Sequence, residues 1–217
     1  FQSSNAFPPG RRTDGSMPGL ILGRRVEEVY PAGPKTLMLR FADGGPFVSW
    51  GSQQNVFSQA RDLGVNSGLV GWYHPYCRVI GADLTRCSWH PYVSDDRAEG
   101  IGRRVRRQWV RFLNLVPFAF RLGVDRLVGL ESQYFFSTAL KGALYQGVLD
   151  DALSLLRDDS LGLLMVHFPV PHGPWIYDRR VGRLSWGGHE TYLDNLVLAD
   201  RALGEIAVRS HCMLTGY

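Results

Sequence analysis

Long apolar runs are missing from this chain of 217 residues: nothing in it approaches the roughly 18 consecutive apolar residues that a membrane-spanning helix needs. Cysteine is scarce as well. Three residues are too few for a disulfide scaffold, and no pair stands as Cys-x-x-Cys, which argues against a structural zinc site. There is no internal repeat and no low-complexity tract. A leader is not visible either: Phe1 opens without a Met or a basic-then-apolar stretch, so the chain reads as lacking its true N-terminus.

What is present is the composition of an ordinary globular protein, 45% apolar and 20% charged, on a chain long enough to bury a core. The net charge of +4 is mild and unevenly spread. Arg103, Arg104, Arg106, Arg107 and Arg111 fall close together, while the C-terminal half carries most of the acid. Cys77 and Cys87 admit two readings, one bridged loop in an oxidising compartment or two buried free thiols.

The pattern along the chain is that of an α/β protein. A polar, Pro- and Gly-rich opening over 1–12 leads into a short helix within Ser16–Gly23. Lys35–Phe41 reads as a strand, Asp43-Gly44-Gly45-Pro46 as a turn, and Phe47–Trp50 as a second strand. Ser52 is expected to cap a helix whose Val56, Phe57, Ala60 and Leu63 share a face and which Gly64 ends. Gly68–Tyr73 follows as a short apolar strand leading into His74. From Asp95 to Val116 a helix would set Ile101, Val105, Trp109, Phe112 and Val116 opposite the arginines. Ala143–Arg157 is amphipathic. Leu161–Phe168 has the unbroken apolar character of a central parallel strand. A Gly-, Pro- and Trp-rich loop separates it from a last helix over Glu190–Val208, and Ser210–Tyr217 breaks the helical pattern. The whole, 1–217, is expected to be a single partial domain, with 95–142 as a helical insertion or cap.

In an open α/β sheet, functional side chains gather beyond the carboxyl ends of the strands. Three places fit. Thr13 stands before the first helix, where free N–H groups and the positive end of the dipole favour an alkoxide and cradle an anion. The plain alternative is an N-cap, and Pro18 allows Ser16 to be that cap instead. His74 lies in Gly71-Trp72-Tyr73-His74-Pro75-Tyr76, a setting in which a histidine is more often a packed, hydrogen-bonded loop residue than a catalyst. His167 and His172 stand in His167-Phe168-Pro169-Val170-Pro171-His172-Gly173-Pro174, where the prolines hold the loop extended and rigid.

In order and in register, these places resemble the sulfatase and alkaline phosphatase superfamily. Sulfatases carry Cys-x-Pro-Ser-Arg and then Leu-Leu-Thr-Gly. Thr13-Asp14-Gly15-Ser16-Met17-Pro18-Gly19-Leu20-Ile21-Leu22-Gly23 keeps the same step from nucleophile to glycine, with Asn5-Ala6 upstream. Gly64-Val65-Asn66-Ser67-Gly68-Leu69-Val70-Gly71-Trp72-Tyr73-His74 is similar to the family's Gly-x-x-Thr-x-x-x-Gly-Lys-Trp-His. The Met165–Trp175 stretch resembles its strand and Pro-His-x-Pro loop. The helix with Tyr192, Asp194-Asn195 and Asp200, ending near Leu203-Gly204, resembles the one before its last metal-binding strand.

The resemblance implies a three-layer α/β/α sandwich with a mostly parallel central sheet, here incomplete. It implies Thr13 as nucleophile and metal ligand, His74 and His172 as catalytic residues, and His167, Trp72 and Ser16 as substrate-binding. Threonine cannot become formylglycine, and Met17 and Trp72 replace two cationic contacts of sulfatases, so the implied chemistry leans from sulfate toward phosphate esters. A divalent metal (zinc, manganese or calcium) is implied too. Its other ligands, Asp residues on a first strand and an Asp-His pair on a late one, are missing from this sequence, so the chain reads as a fragment that does not assemble the metal site alone. The relatives' usual place is the periplasm, the cell exterior or a membrane surface.

A rival reading is an inactive relative that binds anions or a membrane surface through the Arg103–Arg111 helix; a solvated face on a core-packed helix is the plain alternative. No nucleic-acid fold signature is present, and no nucleic-acid partner is expected.

Overall fold

The structure is a computed structural model that describes residues 9–10, 12–91, 132–185 and 189–214, with side chains described outside 132–137 and 211–214. The expected helix over 95–116 and its arginines (Arg103, Arg104, Arg106, Arg107 and Arg111) lie outside the described residues, as does most of the expected insertion.

The chain is α/β. Helix α1 (Thr13–Leu22) is followed by strands β1 (Val26–Gly33), β2 (Thr36–Phe41) and β3 (Val48–Ser49), which form an antiparallel sheet in that order. A 3-10 turn over Trp50–Ser52 leads to α2 (Val56–Asp62), β4 (Ser67–Trp72), α3 (Tyr76–Val79) and β5 (Arg86–His90). Further on come α4 (Ser132–Leu155), β6 (Leu163–His167), the short hairpin β7 (Tyr177–Asp178) and β8 (Arg183–Leu184), and α5 (Tyr192–Leu214).

The sheet that positions the site is parallel, in the order β5-β4-β6. All six residues of β4 are buried, as a strand covered on both faces must be. Its period of two sends Leu69 into a core with Leu39, Trp50, Phe57 and Ile80, and Val70 and Trp72 into another with Leu144, Val148 and Ala152 of α4. A third core joins α4 to α5 through Tyr145, Leu149, Leu198 and Ala202.

Several local expectations need correction. Helix α1 begins at Thr13, with Arg12 as its N-cap residue, so neither Thr13 nor Ser16 is the cap; Pro18 is accommodated inside the helix. Asn55, not Ser52, caps α2: its side chain accepts from the Phe57 and Ser58 N–H groups. Only part of the supposed apolar face of α2 is buried, because Val56 and Leu63 face outward. The expected strand over Phe47–Trp50 is two residues long and gives way to the 3-10 turn. Leu161–Phe168 is not the central strand: β6 flanks β4, and its residues are only half-buried. Helix α5 runs past Gly204 to Leu214. Strand β1 has no counterpart in the sequence pattern, since Glu27, Glu28 and Pro31 interrupt any alternation; its register with β2 carries two irregularities.

Cys77 and Cys87 are joined, with Cα atoms 5.6 Å apart, tying α3 to β5.

Candidate functional site

The site lies at the carboxyl end of the parallel sheet. Gly71 of β4 is paired with His167, the last residue of β6, and Trp72 with His90, the last of β5. Beyond Trp72 the backbone reverses sharply. Tyr73 takes φ +66°, a left-handed conformation that costs a non-glycine residue on the order of 1 kcal/mol. The His74 N–H closes the turn on the Trp72 carbonyl at 2.8 Å. That reversal aims the His74 ring at α1, where Nε2 donates to the Thr13 carbonyl at 3.3 Å. A carbonyl only accepts, so Nε2 carries the ring proton. Burial lowers the His74 pKa, partly opposed by the Thr13 carbonyl and the Asp14 carboxylate.

His167 is fixed from the other side. Its Nδ1 is 2.8 Å from the hydroxyl of Tyr76, a fully buried residue whose ionisation burial strongly disfavours. The close approach depends on Gly71, where a Cβ would fall 2.8 Å from the Tyr76 ring. Burial, with the neighbouring His74 and His172, pushes the His167 imidazole down to about 4. It is therefore neutral at physiological pH. His74 and His172 both bear on His167 electrostatically; the Trp72 ring lies 5.8 Å from the His167 ring, and the Trp50, Tyr73 and Tyr76 rings stack edge-on around His74.

The expected site residues do not all play the same part. Thr13 is half-buried in the first turn of α1, beside an Arg12–Asp14 ion pair of 2.7 Å. Ser16 turns inward, its hydroxyl donating to the Gly10 carbonyl at 2.7 Å. Trp72 is buried, and its indole N–H donates to the Phe168 carbonyl at 3.0 Å. His172 is exposed, the freest of the three imidazoles.

No family model, curated protein or solved structure matches this chain.

Two residues that hold the site were not assigned a part in it by sequence reasoning. Lys141 of α4 is 1% exposed, and its ammonium donates to the His172 and Gly173 carbonyls. A lone cation inside Thr138-Ala139-Leu140-Lys141-Gly142-Ala143-Leu144 was the signal that could have found it. Tyr76 is the other; its only sequence cue was aromatic company. Asp194, carried by the resemblance, serves the start of α5: it accepts from the Thr191 N–H at 2.7 Å and from the Thr191 hydroxyl at 2.6 Å. Among the described residues no group of three His, Cys, Asp or Glu side chains converges as a metal site, and no helix is long and apolar enough to cross a membrane.

Proposed function

We propose that this chain carries the nucleophile and imidazole part of a sulfatase-like hydrolase or transferase site, acting on a phosphate or sulfate ester, within a three-layer α/β/α sandwich. The observation that carries this reading is the contact between the His74 ring and the Thr13 main chain, together with the pairing of Gly71 with His167. It joins the three motifs that the resemblance sets in register.

The chemistry follows from the groups present. The Thr13 hydroxyl stands in the first turn of a ten-residue helix, where N–H groups and the dipole stabilise an oxyanion. His172 accepts the hydroxyl proton as the Thr13 oxygen forms a bond to phosphorus or sulfur. The bond to the leaving oxygen breaks on the opposite side, that oxygen takes its proton from water, and His172 gives its proton up to solvent. Water or an acceptor alcohol then releases the ester from Thr13. His74 acts as a positioning residue, because its N–H is committed to the Thr13 carbonyl. His167 is a neutral dipole beside the substrate oxygens. The resemblance implies zinc, manganese or calcium, but the described residues do not fit a metal by themselves, and the steps assigned here use the chain's own groups. A periplasmic or extracellular location is supported by the Cys77–Cys87 bridge, since disulfides persist in oxidising compartments.

The deciding experiment is hydrolysis of bis(p-nitrophenyl) phosphate and p-nitrophenyl sulfate by the full-length protein and its Thr13→Ala variant. Turnover should vanish in the variant, and near-normal rates would rule Thr13 out. A second reading, anion binding without turnover, is favoured by the engagement of a ring nitrogen of His74 with the Thr13 carbonyl and of His167 with the Tyr76 hydroxyl, which takes both from proton transfer. It predicts phosphate binding with no hydrolysis by the parent protein.

A further inference from the structure

The loop after β6 is gripped from inside by two buried side chains on different helices. Lys141 of α4 donates to the carbonyl of His172 and, at 2.9 Å, to that of Gly173. Asn195 of α5 is fully buried; it donates to the His172 carbonyl at 3.0 Å and the Pro171 carbonyl at 3.4 Å. It also accepts from the Ile176 N–H at 2.9 Å. The main chain of residues 171, 172, 173 and 176 is thus held without any contact to the His172 ring being needed. With its carbonyl turned inward, His172 is exposed, and its imidazole bears electrostatically on His167.

Burying an ammonium is costly, and a core position on α4 would be filled more cheaply by Leu or Met. The carbonyls that receive it are neutral, so the positive charge of Lys141 remains directly behind the loop. Burial alone pushes that ammonium down to about 8, which leaves it largely protonated at neutral pH. Pro171 and Pro174 remove backbone freedom from the same segment, so a small number of anchors suffices to orient it.

We propose that Lys141 and Asn195 are positioning residues of the candidate site: a two-helix clamp on the 171–176 main chain that fixes where the His172 imidazole meets a substrate oxyanion. This rests on the phosphate- or sulfate-ester reading above, but the clamp has a readout of its own.

The experiment is imidazole NMR together with amide hydrogen exchange on the full chain, with and without inorganic phosphate. The variants are Lys141→Met, which keeps volume and removes the charge, and Asn195→Ala, which serves if the first does not fold. Without phosphate, the clamp requires that either variant shift the His172 ring resonance and speed exchange of the Ile176 amide, while the His167 resonance stays in place. An unchanged His172 ring and Ile176 amide in a folded variant overturn the proposal. With phosphate, the parent His172 resonance should move, and affinity should fall on the order of ten- to a hundredfold in either variant. Equal affinities in parent and variant also overturn it. A parent protein whose imidazoles ignore phosphate overturns both the ester reading and the substrate role of the clamp, whereas altered Ile176 exchange in the variants would still report the grip itself.

Discussion

The His74 imidazole reaches back across 61 positions to hold the carbonyl of Thr13 at 3.3 Å. A residue beyond the central strand β4 is thereby bonded to the first turn of α1, and the place of the Thr13 hydroxyl is tied to the sheet. His74→Gln keeps an N–H at the Nε2 position, whereas His74→Phe keeps the ring volume and loses the donor. The Phe variant should lose about 1 kcal/mol that the Gln variant retains. Thermal unfolding of both variants measures this, and equal melting temperatures would show that the contact carries no weight.

Gly71 is required by the Tyr76 ring. In Gly71→Ala the new methyl would stand 2.8 Å from that ring and 3.4 Å from the His167 Cβ, and Tyr76 is fully buried with no room to retreat. Overpacking of this kind costs about 1–3 kcal/mol. Gly81→Ala, whose methyl would meet open space, is the control and should stay within about 0.5 kcal/mol of the parent. Denaturant titration of the pair decides the matter; a Gly71→Ala protein as stable as the control would contradict the packing described.

The acid limb of stability should carry the signature of His167. Burial holds its pKa at about 4 in the folded chain, against 6.5 for an exposed imidazole. Between these values the unfolded chain binds more protons than the folded one, so stability rises with pH. The contribution is complete above about pH 6.5 and lost as the pH falls toward 4, up to about 3 kcal/mol in all. His74, lowered by burial in the same direction, adds to the slope. His167→Asn should flatten the melting-temperature profile across this window. A slope equal to that of the parent would place the titrating group elsewhere.

The Cys77–Cys87 bridge closes a loop over a separation of 10 residues. A loop of that size stabilises by about 2–3 kcal/mol through restriction of the unfolded chain. Reducing agent should lower the melting temperature of the parent protein and leave a Cys77→Ser/Cys87→Ser double variant unaffected. An effect of the same size on both would count against the bridge.

Local pattern was informative wherever burial is regular. The alternation of β2 and the amphipathic stretch inside α4 were legible because one buried face imposes a period of two or of 3.6, and β4 was legible because burial on both faces leaves an unbroken apolar run. Element ends were read less well. Asn55 displaced Ser52 as a cap because its side chain reaches two backbone N–H groups, a matter of loop geometry and not of residue type. Strand β1 was illegible because an edge strand with charged residues and proline need not alternate.

Residue order alone makes this an α/β chain with Thr13, His74 and the Pro-bounded His167–His172 loop at element ends, since polar side chains and proline within apolar periods have few other places to go. What those side chains do depends on long-range packing. His167 meets Tyr76 across 91 positions, Trp72 donates to Phe168 across 96, and Lys141 supports the His172 loop across 31. The packing of β4 between β5 and β6, and of α4 against α5, creates these meetings, and no local periodicity encodes which residues it will bring together.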